Sequence, residues 1–379
     1  MKRILIMNNA AIGGGVEAVM NNIIQYLVEK ENEVTVFTIF NEYDFYEKYP
    51  KEVKYIHLSI PNASRFPKEH SKFKLARLRT RIENKIAMFF MKHQKYDVII
   101  AIKEGTSMQL ASQLTAKHKI GWVHVDYRYM YWTRNVFGTE QAERDCMRDN
   151  FDKIVCVSEA AADSVRNTIG EPGNLCVRYN PIAYKEIKKK ALEKCQYAKP
   201  DGKMLFVASG RLTEQKNFIM LVDVCIELSS KYDFELWIIG NGPQRAEIEM
   251  MIQEANTNCV RLLGFQDNPY PFIKMADCFI SAAVWESYGL AIQEALILET
   301  PVLTTECPAI KEIFDERFGK MIPTTRDALI SSISDILENP QVILEYQEEI
   351  RKYYLMEDLW EKRLEDICSL WEDGNDKKQ

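Results

Sequence analysis

Several features are scarce or missing in this chain of 379 residues, and each absence excludes a class of protein. The net charge is −6, with 49 Lys and Arg against 55 Asp and Glu, which argues against a nucleic-acid partner. The nine cysteines include no C-x-x-C pair and the five histidines show no paired spacing, so we expect reduced thiols and no built-in metal site. No apolar run is long enough to cross a bilayer and no signal region precedes the first strand-like run, so we expect a cytoplasmic protein.

What the chain does contain is a regular alternation of strand-like and helix-like segments. Apolar runs such as 3–8 and 97–102 alternate with segments of helical spacing, such as 15–30 and 106–117. After a lysine-rich and weakly patterned segment, the alternation restarts at Lys203. The pattern predicts an α/β fold of two doubly wound, Rossmann-like domains, each a parallel sheet with helices on both faces.

The restart at Lys203 also sets the predicted domain boundaries. We predict an N-terminal domain over 1–184, a linker over 185–202, a C-terminal domain over 203–355, and over 356–379 a helix that can pack back on the first domain, followed by a polar tail. In doubly wound sheets, ligands bind beyond the carboxyl ends of the strands, so a cleft between the domains is the expected site.

One stretch, residues 285–302, carries two carboxylates beside a predicted helix N-terminus. It reads W-E-S-Y-G-L-A-I-Q-E-A-L-I-L-E-T-P-V, with Glu286 in the loop after a short strand and Glu294 in the helix that Gly289 opens. The free N–H groups at a helix start favour oxygen-rich ligands. The alternative is an ordinary strand–loop–helix unit with two solvated glutamates, and this stretch alone does not decide between them.

Other polar residues follow other predicted strands. Arg211 and Lys216 lie between a strand and the next helix, a pair of cations that suits a diphosphate, although two solvated side chains are the alternative. Gly264 and Phe265 follow another strand, either in a site or in a simple turn. His124 ends a strand of the first domain and can donate to sugar hydroxyls or to developing charge, although a lone histidine is more often structural.

A glycine loop, residues 13–15, precedes the first predicted helix. Its backbone can approach a ligand closely, and the helix N-terminus favours an anion. The letters also match the G-x-G-x-x-A pattern of dinucleotide-binding folds, but residues 9–12 separate the strand from the first glycine. This spacing disfavours a dehydrogenase, and the alternative to an anion site is a flexible loop that caps the helix.

Taken in order, these motifs resemble those of the retaining nucleotide-sugar glycosyltransferases of family 4. The segment E-S-Y-G-L-A-I-Q-E, with P-V after the helix, is similar to the E-x7-E signature of that family. G-R-L-x-x-x-K at 210–216, G-x-G-P at 240–243, V-x-L-L-G at 260–264 and the glycine loop extend the resemblance over nearly the whole chain. The resemblance implies a GT-B fold, in which two Rossmann-like domains face an interdomain cleft that holds a sugar nucleotide.

The resemblance also implies which residues meet the reacting sugar. His124 would contact the donor sugar near the reacting centre, as a catalytic residue. Glu286, the second catalytic residue, would hold the hydroxyls of the donor sugar. The backbone amides of Tyr288, Gly289 and Leu290 would help Glu286 in this role.

The remaining implied contacts are with the nucleotide. Arg211 and Lys216 would neutralise the diphosphate, and Glu294 would accept hydrogen bonds from the ribose hydroxyls. The other implied contacts are the amides of Gly14 and Gly15 to the diphosphate, and Gly264 and Phe265 to the base.

The activity implied by the resemblance is metal-independent transfer with retention, and it needs no cofactor besides the nucleotide-sugar co-substrate. The favoured donor is a UDP-linked hexose or N-acetylhexosamine, and the acceptor a hydroxyl of a glycan or lipid-linked molecule in surface polysaccharide biosynthesis. Fixed cations and helix N-termini would stabilise the charge that develops on the leaving diphosphate. The rival interpretations are a nucleotide-sugar epimerase or hydrolase on the same fold, and a non-catalytic sugar-nucleotide-binding subunit of a glycan synthase.

Three positions depart from the family pattern. Ser287 stands where the family usually has glycine, Ala291 where it has proline, and Asn217 where it frequently has glycine. Because the first two lie in the loop that would recognise the sugar, they put the identity of the donor in doubt rather than the activity.

The acceptor side is represented by a basic segment, residues 65–92, with nine Lys or Arg and two Glu, a net charge of +7. It holds an apolar stripe (Leu75, Leu78, Ile82, Ile86 and Phe89) flanked by basic residues (Lys74, Arg77, Arg81 and Lys85). We favour a surface helix whose stripe lies in the core. The alternative is a patch that holds the protein against anionic lipid on the inner face of the membrane.

Overall fold

A computed structural model describes residues 1–9, 14–40, 49–60, 82, 85–86, 88–354 and 357–372. The chain divides into two compact units. Unit 1 consists of Met1–Pro181 with Glu361–Gln379, and unit 2 is Ile182–Trp360. Each unit is built on one parallel sheet, as the strand–helix alternation predicts.

Unit 1 contains a seven-stranded sheet. Its strands are β1 (Arg3–Asn8), β2 (Glu33–Phe40), β3 (Lys54–Ile60), β4 (Tyr96–Ala101), β5 (Ala116–Val123), β6 (Lys153–Cys156) and β7 (Leu175–Val177). They lie in the order β3-β2-β1-β4-β5-β6-β7, and all neighbours are parallel. The chain therefore runs outward from β1 and returns to β4 on its other side, so the switch point of this sheet lies between β1 and β4.

The described helices of unit 1 cover the sheet with apolar faces. They are α1 (Gly15–Glu29), α2 (Thr106–Ala111), α3 (Arg134–Phe137), α4 (Glu140–Asn150) and α5 (Glu159–Ile169). In α1, Val19, Ile23 and Leu27 recur at helical spacing and are buried. The α5 helix begins where Ser158 caps it, since the Ser158 Oγ atom accepts a hydrogen bond from the Ala161 N–H at 3.0 Å.

The helix predicted over 106–117 is shorter than the sequence pattern indicates. It ends at Ala111, and β5 already begins at Ala116. The segment 116–119 alternates too weakly to read as a strand, but it pairs with β4, with Tyr96 opposite Ala116 and Val98 opposite His118. Pairing with a buried neighbouring strand thus overrides the local pattern.

Unit 2 contains a six-stranded sheet. Its strands are β8 (Met204–Ser209), β9 (Phe234–Ile239), β10 (Val260–Gly264), β11 (Cys278–Ser281), β12 (Val302–Thr305) and β13 (Gly319–Ile322). The order is β10-β9-β8-β11-β12-β13 with all neighbours parallel, so the switch point lies between β8 and β11.

The helices of unit 2 pack on both faces of this sheet. They are α6 (Tyr184–Lys190), α7 (Phe218–Leu228), α8 (Arg245–Ala255), α9 (Tyr270–Met275), α10 (Leu290–Ile297), α11 (Pro308–Ile313), α12 (Arg326–Glu338) and α13 (Gln341–Tyr353). One core cluster holds Leu221, Leu303 and Leu329, and a second, on the other face, holds Trp237, Phe279 and Leu296. Apolar residues on both faces explain the continuous apolar runs of these strands.

The first part of the predicted linker belongs to a helix of unit 2. The α6 helix occupies Tyr184–Lys190, and its Ile187 is buried in the core of unit 2. At the other end of unit 2, helix α14 (Glu357–Cys368) crosses the unit boundary. Its part beyond Glu361 belongs to unit 1, where the Arg363 guanidinium donates to the Asn180 carbonyl at 3.0 Å.

The basic segment differs from the favoured interpretation. Of its apolar stripe, Ile82, Ile86 and Phe89 are exposed, whereas Met88 and Met91 are buried. These two methionines are three positions apart and therefore lie on the same face of the helix, which is the buried face. The predicted apolar stripe lies on a different, exposed face. Leu75, Leu78, Lys74, Arg77 and Arg81 lie outside the described residues.

Within the ranges that the structure describes, no helix is both long and apolar enough to span a bilayer.

Candidate functional site

The switch point of unit 2 brings together two loops that are distant in sequence. The loop after β8 continues into a single 3₁₀ turn, Glu214–Lys216, and the loop after β11 contains Glu286. The Val284 N–H donates to the Gln215 carbonyl at 2.8 Å, and the Gln215 side chain donates to the Trp285 carbonyl at 3.1 Å. These two bonds align Lys216 with Glu286.

Lys216 and Glu286 form an ion pair at the centre of this edge. The Lys216 Nζ atom donates to Glu286 Oε1, and the two side chains are only 21% and 10% exposed. The stem of Lys216 packs against Gly210, where an added Cβ would lie 3.2 Å from Lys216 Cε. A cation next to a carboxylate can bind a diphosphate, while the carboxylate accepts a hydrogen bond from a neighbouring hydroxyl.

Close backbone approach explains the glycines of the loops after β8 and β9. A Cβ on Gly240 would lie 1.9 Å from the Gly210 carbonyl oxygen, and one on Gly242 would lie 2.4 Å from that of Leu212. The Gly240 N–H also donates to the Gly264 carbonyl at 2.8 Å. The three motifs are therefore parts of one rigid edge, because each packs on the next.

Glu294 lies in α10 and has an unusual acidity. Burial raises the pKa of Glu294 to about 7, while a hydrogen bond from Tyr270 and the charge of Lys216 act in the lowering direction. The Tyr270 hydroxyl donates to Glu294 Oε1 at 3.3 Å. With a pKa near neutral pH, this carboxyl can lose its proton when a ligand donates hydrogen bonds to it, because such bonds favour the charged form.

Gly289 is the N-cap of α10 and needs to be glycine. Its φ is +75°, and an added Cβ would lie 2.5 Å from the Ile310 Cδ1 atom. The helix begins at Leu290 with no side-chain cap, and the Ile292 N–H bonds the Gly289 carbonyl at 3.1 Å, so the geometry of a helix start leaves the N–H groups of Leu290 and Ala291 for a ligand. Tyr288, just before, has a buried side chain, which leaves its backbone as the part that can face a ligand.

The remaining predicted residues of unit 2 lie on the same edge of the sheet. Arg211 follows β8 and is exposed. Gly264 ends β10 with a φ of +72°, and Phe265 beyond it is 67% exposed. A large aromatic side chain exposed beside glycine loops provides a surface on which a planar ring can stack.

The glycine loop of unit 1 is only partly described, since residues 10–13 lie outside the described ranges. Gly14 is the N-cap of α1 in an extended conformation, and Gly15 is the first helical residue. Glu17, in the first turn, is buried, and a Cβ on Gly14 would lie 3.1 Å from its Oε2 atom. A carboxylate therefore already stands at the anion-favouring end of this helix.

His124 follows β5 and is 8% exposed. Burial lowers the pKa of His124 to about 3, the charge of Lys103 lowers it further, and a hydrogen bond with the backbone of Ile102 acts in the opposite direction. The imidazole is thus neutral at physiological pH. Both roles that the sequence allows, donation to a sugar hydroxyl or to developing charge, would then use the single N–H of a neutral ring.

Sequence reasoning missed a buried carboxylate beside His124. Glu104 lies three residues beyond β4 and accepts a hydrogen bond from the backbone N–H of His124 at 3.0 Å. The available signal was a charged residue shortly after a buried strand at the switch point, followed by a glycine. No motif marks it.

Among the described side chains, no group of three or more His, Cys, Asp or Glu is arranged to hold a metal ion, and all nine cysteines are free.

Two family models match the chain. The one described as Glycosyltransferase Family 4 matches residues 13–185, and the one described as Glycosyl transferases group 1 matches residues 189–354. Together they leave only the ends and a short junction unmatched.

Curated relatives match part of the chain. An uncharacterized glycosyltransferase of Methanocaldococcus jannaschii is 37% identical over 105 residues, which are 27% of this chain and 26% of that protein. The N-acetylgalactosamine-N,N'-diacetylbacillosaminyl-diphospho-undecaprenol 4-alpha-N-acetylgalactosaminyltransferase of Campylobacter jejuni is 30% identical over 189 residues, 49% of this chain and 50% of that protein. The chain thus spans half or less of the length of these relatives.

The fold also matches solved structures. TarM of S. aureus, in complex with fondaparinux, alpha-GlcNAc-glycerol and UDP, superposes with a TM-score of 0.74 at 13% identity, covering 98% of this chain and 100% of that one. The two-domain Rossmann-like architecture predicted from the sequence is therefore confirmed.

Proposed function

Since this chain belongs to the GT-B glycosyltransferases of the family 4 type, we propose that it is an active enzyme that moves a sugar from a nucleoside diphosphate to a hydroxyl acceptor. The donor is a UDP-linked hexose or N-acetylhexosamine. The acceptor is a glycan or a lipid-linked molecule, and the product belongs to a surface polysaccharide.

The observation that carries this proposal is the Lys216–Glu286 pair at the switch point of unit 2. Lys216, with Arg211, neutralises the diphosphate, and Glu286 accepts hydrogen bonds from the sugar. Glu294, in helix α10, accepts hydrogen bonds from the ribose, and Phe265 stacks on the base. A non-catalytic binding subunit would be expected to have lost Glu286, Arg211 or Lys216, and this chain has all three.

The chemistry proceeds with retention and without a metal ion. The bond between the anomeric carbon and the diphosphate oxygen breaks, and the acceptor oxygen forms a new bond to the same face of that carbon. The acceptor proton passes to the departing diphosphate. Lys216 and the first-turn N–H groups of α10 stabilise the negative charge that develops on the leaving diphosphate.

The choice of UDP and of surface glycans is supported by the named relatives. The S. aureus protein binds UDP, and the C. jejuni protein transfers N-acetylgalactosamine to a diphospho-undecaprenol-linked acceptor. Phe265 can stack on any nucleotide base, so the ligand-binding experiment below is designed to identify the donor.

The decisive experiment is a thermal-shift panel of nucleoside diphosphates and nucleotide sugars, followed by turnover with the best ligand. A true donor raises the midpoint of unfolding, because it binds only the folded form. Turnover should require an acceptor and give a product with the anomeric configuration of the donor, read by NMR. Free sugar or an epimer formed from the donor alone would indicate the hydrolase or epimerase, and an inverted product would contradict retention.

A second proposal concerns the membrane. We propose that the exposed face formed by Ile82, Ile86, Phe89 and Phe90, in a strongly basic segment, binds anionic lipid. I86D/F89D should abolish flotation with anionic vesicles and leave the midpoint of thermal unfolding unchanged. Flotation equal to that of the parent, or equal binding to neutral vesicles, would refute it.

A further inference from the structure

The loop after β10 in unit 2 leaves an open space beside a bare stretch of backbone. Gly264 ends the strand with a φ of +72°, and its carbonyl accepts a hydrogen bond from the Gly240 N–H at 2.8 Å. Apart from the adjoining residues, an added Cβ at Gly264 would meet one atom within 4 Å in the described part of the chain, the Nη1 atom of Arg245 at 3.5 Å. The next residue, Phe265, is 67% exposed. An uncovered backbone next to an exposed aromatic ring leaves room for a planar group.

Arg245 brings a guanidinium to this space. It is the first residue of α8, directly after the G-N-G-P loop. Its Nε atom donates to Glu249 Oε1 at 2.7 Å, one helical turn farther along α8, and its side chain is 35% exposed. No other residue whose placement is described accepts a hydrogen bond from Arg245, so the N–H groups of Nη1 and Nη2 are left for a ligand. The guanidinium is therefore anchored on one side and available on the other.

A guanidinium in this position discriminates between bases by hydrogen-bond chemistry. It carries only donors, so it binds groups that accept. Uracil presents the O4 carbonyl that thymine also has, and guanine presents O6 and N7, whereas cytosine and adenine present an amino group at the corresponding position. An amino group next to a guanidinium places donor against donor, and neither is satisfied.

We propose that Arg245 is a specificity-determining residue, whose guanidinium donates to a carbonyl oxygen of the base that stacks on Phe265 and so selects uracil or guanine over cytosine or adenine. This inference rests on the proposed function, which places a sugar nucleotide in unit 2, and it adds a residue to which the transfer chemistry gives no task. Glu249 is then a positioning residue, because its bond to Nε holds Nη1 beside Gly264.

The test is isothermal titration with UDP and CDP, whose bases have a carbonyl and an amino group, respectively, at position 4. The parent should bind UDP at least about fivefold more tightly than CDP. R245M removes the donors and keeps a long side chain, so it should weaken UDP binding about 5- to 100-fold and CDP binding by no more than about twofold. GDP and ADP form a second pair, and the same loss is expected for GDP if guanine is the preferred base.

The rival role for this cation is a contact with the diphosphate, and the same titrations separate the two roles. A phosphate contact is indifferent to the base, so R245M would then weaken UDP and CDP equally. R245K keeps the positive charge but not the planar fork, so it should lose the preference for UDP, whereas a phosphate contact would retain most of the affinity for both ligands. E249A should reduce the preference less than R245M does, because the guanidinium remains but is no longer anchored.

The matched control is Arg326, another arginine of unit 2. Its guanidinium is bonded to the carboxylates of Asp223 and Glu227. R326M should leave the ratio of the UDP and CDP affinities unchanged, and thermal unfolding should show that each variant is folded. A parent that binds nucleoside diphosphates without preferring UDP to CDP or GDP to ADP, or an unchanged preference in R245M, would overturn this inference alone. A parent that binds none of the four would count against the proposed function itself.

Discussion

The two sheets have the same kind of switch point but fill it with different chemistry. In unit 2, Lys216 and Glu286 form a charged pair that is mostly buried but keeps some exposed surface. In unit 1, the carboxylate of Glu104 is enclosed by neutral donors, and burial lowers the pKa of His124 to about 3, so that this ring is uncharged. The same topology thus provides one edge suited to an anion and one edge suited to neutral hydroxyls.

This difference bears on where the diphosphate binds. An anion gains most from fixed cations and free N–H groups, and unit 2 supplies both. The glycine loop of unit 1 supplies helix N–H groups but faces the carboxylate of Glu17. We therefore expect unit 2 to bind the diphosphate, with at most a minor contribution from Gly14 and Gly15.

The largest effect is expected from removing the cation of unit 2. K216A should lower turnover about 10²- to 10³-fold, because the leaving diphosphate loses its fixed positive charge. It should also destabilise the protein by about 3 kcal/mol, since Glu286 is left as an unpaired and mostly buried carboxylate. Turnover assays and urea denaturation measure the two effects separately.

The double variant K216A/E286Q is the control for that experiment. Without the carboxylate there is no unpaired charge, so most of the stability should return while turnover stays low. If K216A alone retains turnover, the ion pair is only a structural contact, and the distinction between the two switch points is lost.

The second effect is a pH dependence located in unit 2. Because burial raises the pKa of Glu294 to about 7, the carboxylate that we propose accepts from the ribose is progressively protonated below neutral pH. The affinity for the nucleotide sugar should fall about tenfold from pH 8 to pH 6. Titrations of E294Q should be weak and flat over this range. In Y270F the loss of a lowering hydrogen bond should move the midpoint to higher pH.

The raised pKa of Glu294 also predicts how the free energy of unfolding changes with pH. Its pKa is higher in the folded than in the unfolded state, so its contribution to stability is present below about pH 4.5 and is lost as the pH rises through 7. At pH 8, E294Q should therefore be more stable than the parent by about 1–3 kcal/mol, measured in urea. A less stable E294Q at that pH would contradict the raised pKa.

A smaller effect tests the glycine loop of unit 1. If the N-terminus of α1 contributes to diphosphate binding, removing the charge of Glu17 should tighten the affinity for UDP about two- to fivefold. The control is E29Q, which removes a charge at the other end of α1 and should leave the affinity unchanged. Equal affinities in E17Q and E29Q would assign the diphosphate to unit 2 alone.

The sequence predicts where the strands of both sheets end, but it does not predict which of the loops that follow them are in contact. Apolar runs that end in glycine or charge predict where Arg211, Lys216 and Glu286 leave the sheet. The pairing of Lys216 with Glu286 depends on β8 and β11 being neighbours, and local periodicity does not encode the order of parallel strands. Glu104 was missed for the same reason, because its two donors come from a different loop.

Helical periodicity has a similar limit. It finds an apolar stripe in the basic segment but does not indicate which side of a helix faces the core. Met88 and Met91 occupy the buried side, whereas Ile86 and Phe89 are exposed.

The smallest expected effect concerns a departure from the family pattern in unit 2. Asn217 stands where glycine is frequent, and its φ of 56° places it in the left-handed region that glycine and asparagine tolerate. N217G should therefore change stability by no more than about 0.5 kcal/mol, while N217V should cost about 1–2 kcal/mol, both measured in urea. Neither variant should change the ranking of donors in the thermal-shift panel. A changed ranking would make residue 217 a determinant of the donor rather than of backbone conformation. Ala291 also determines backbone conformation rather than the donor, because it is the second residue of α10, a position where proline and alanine both fit a helix start. Of the three departures, only Ser287 then remains as a candidate to select the sugar.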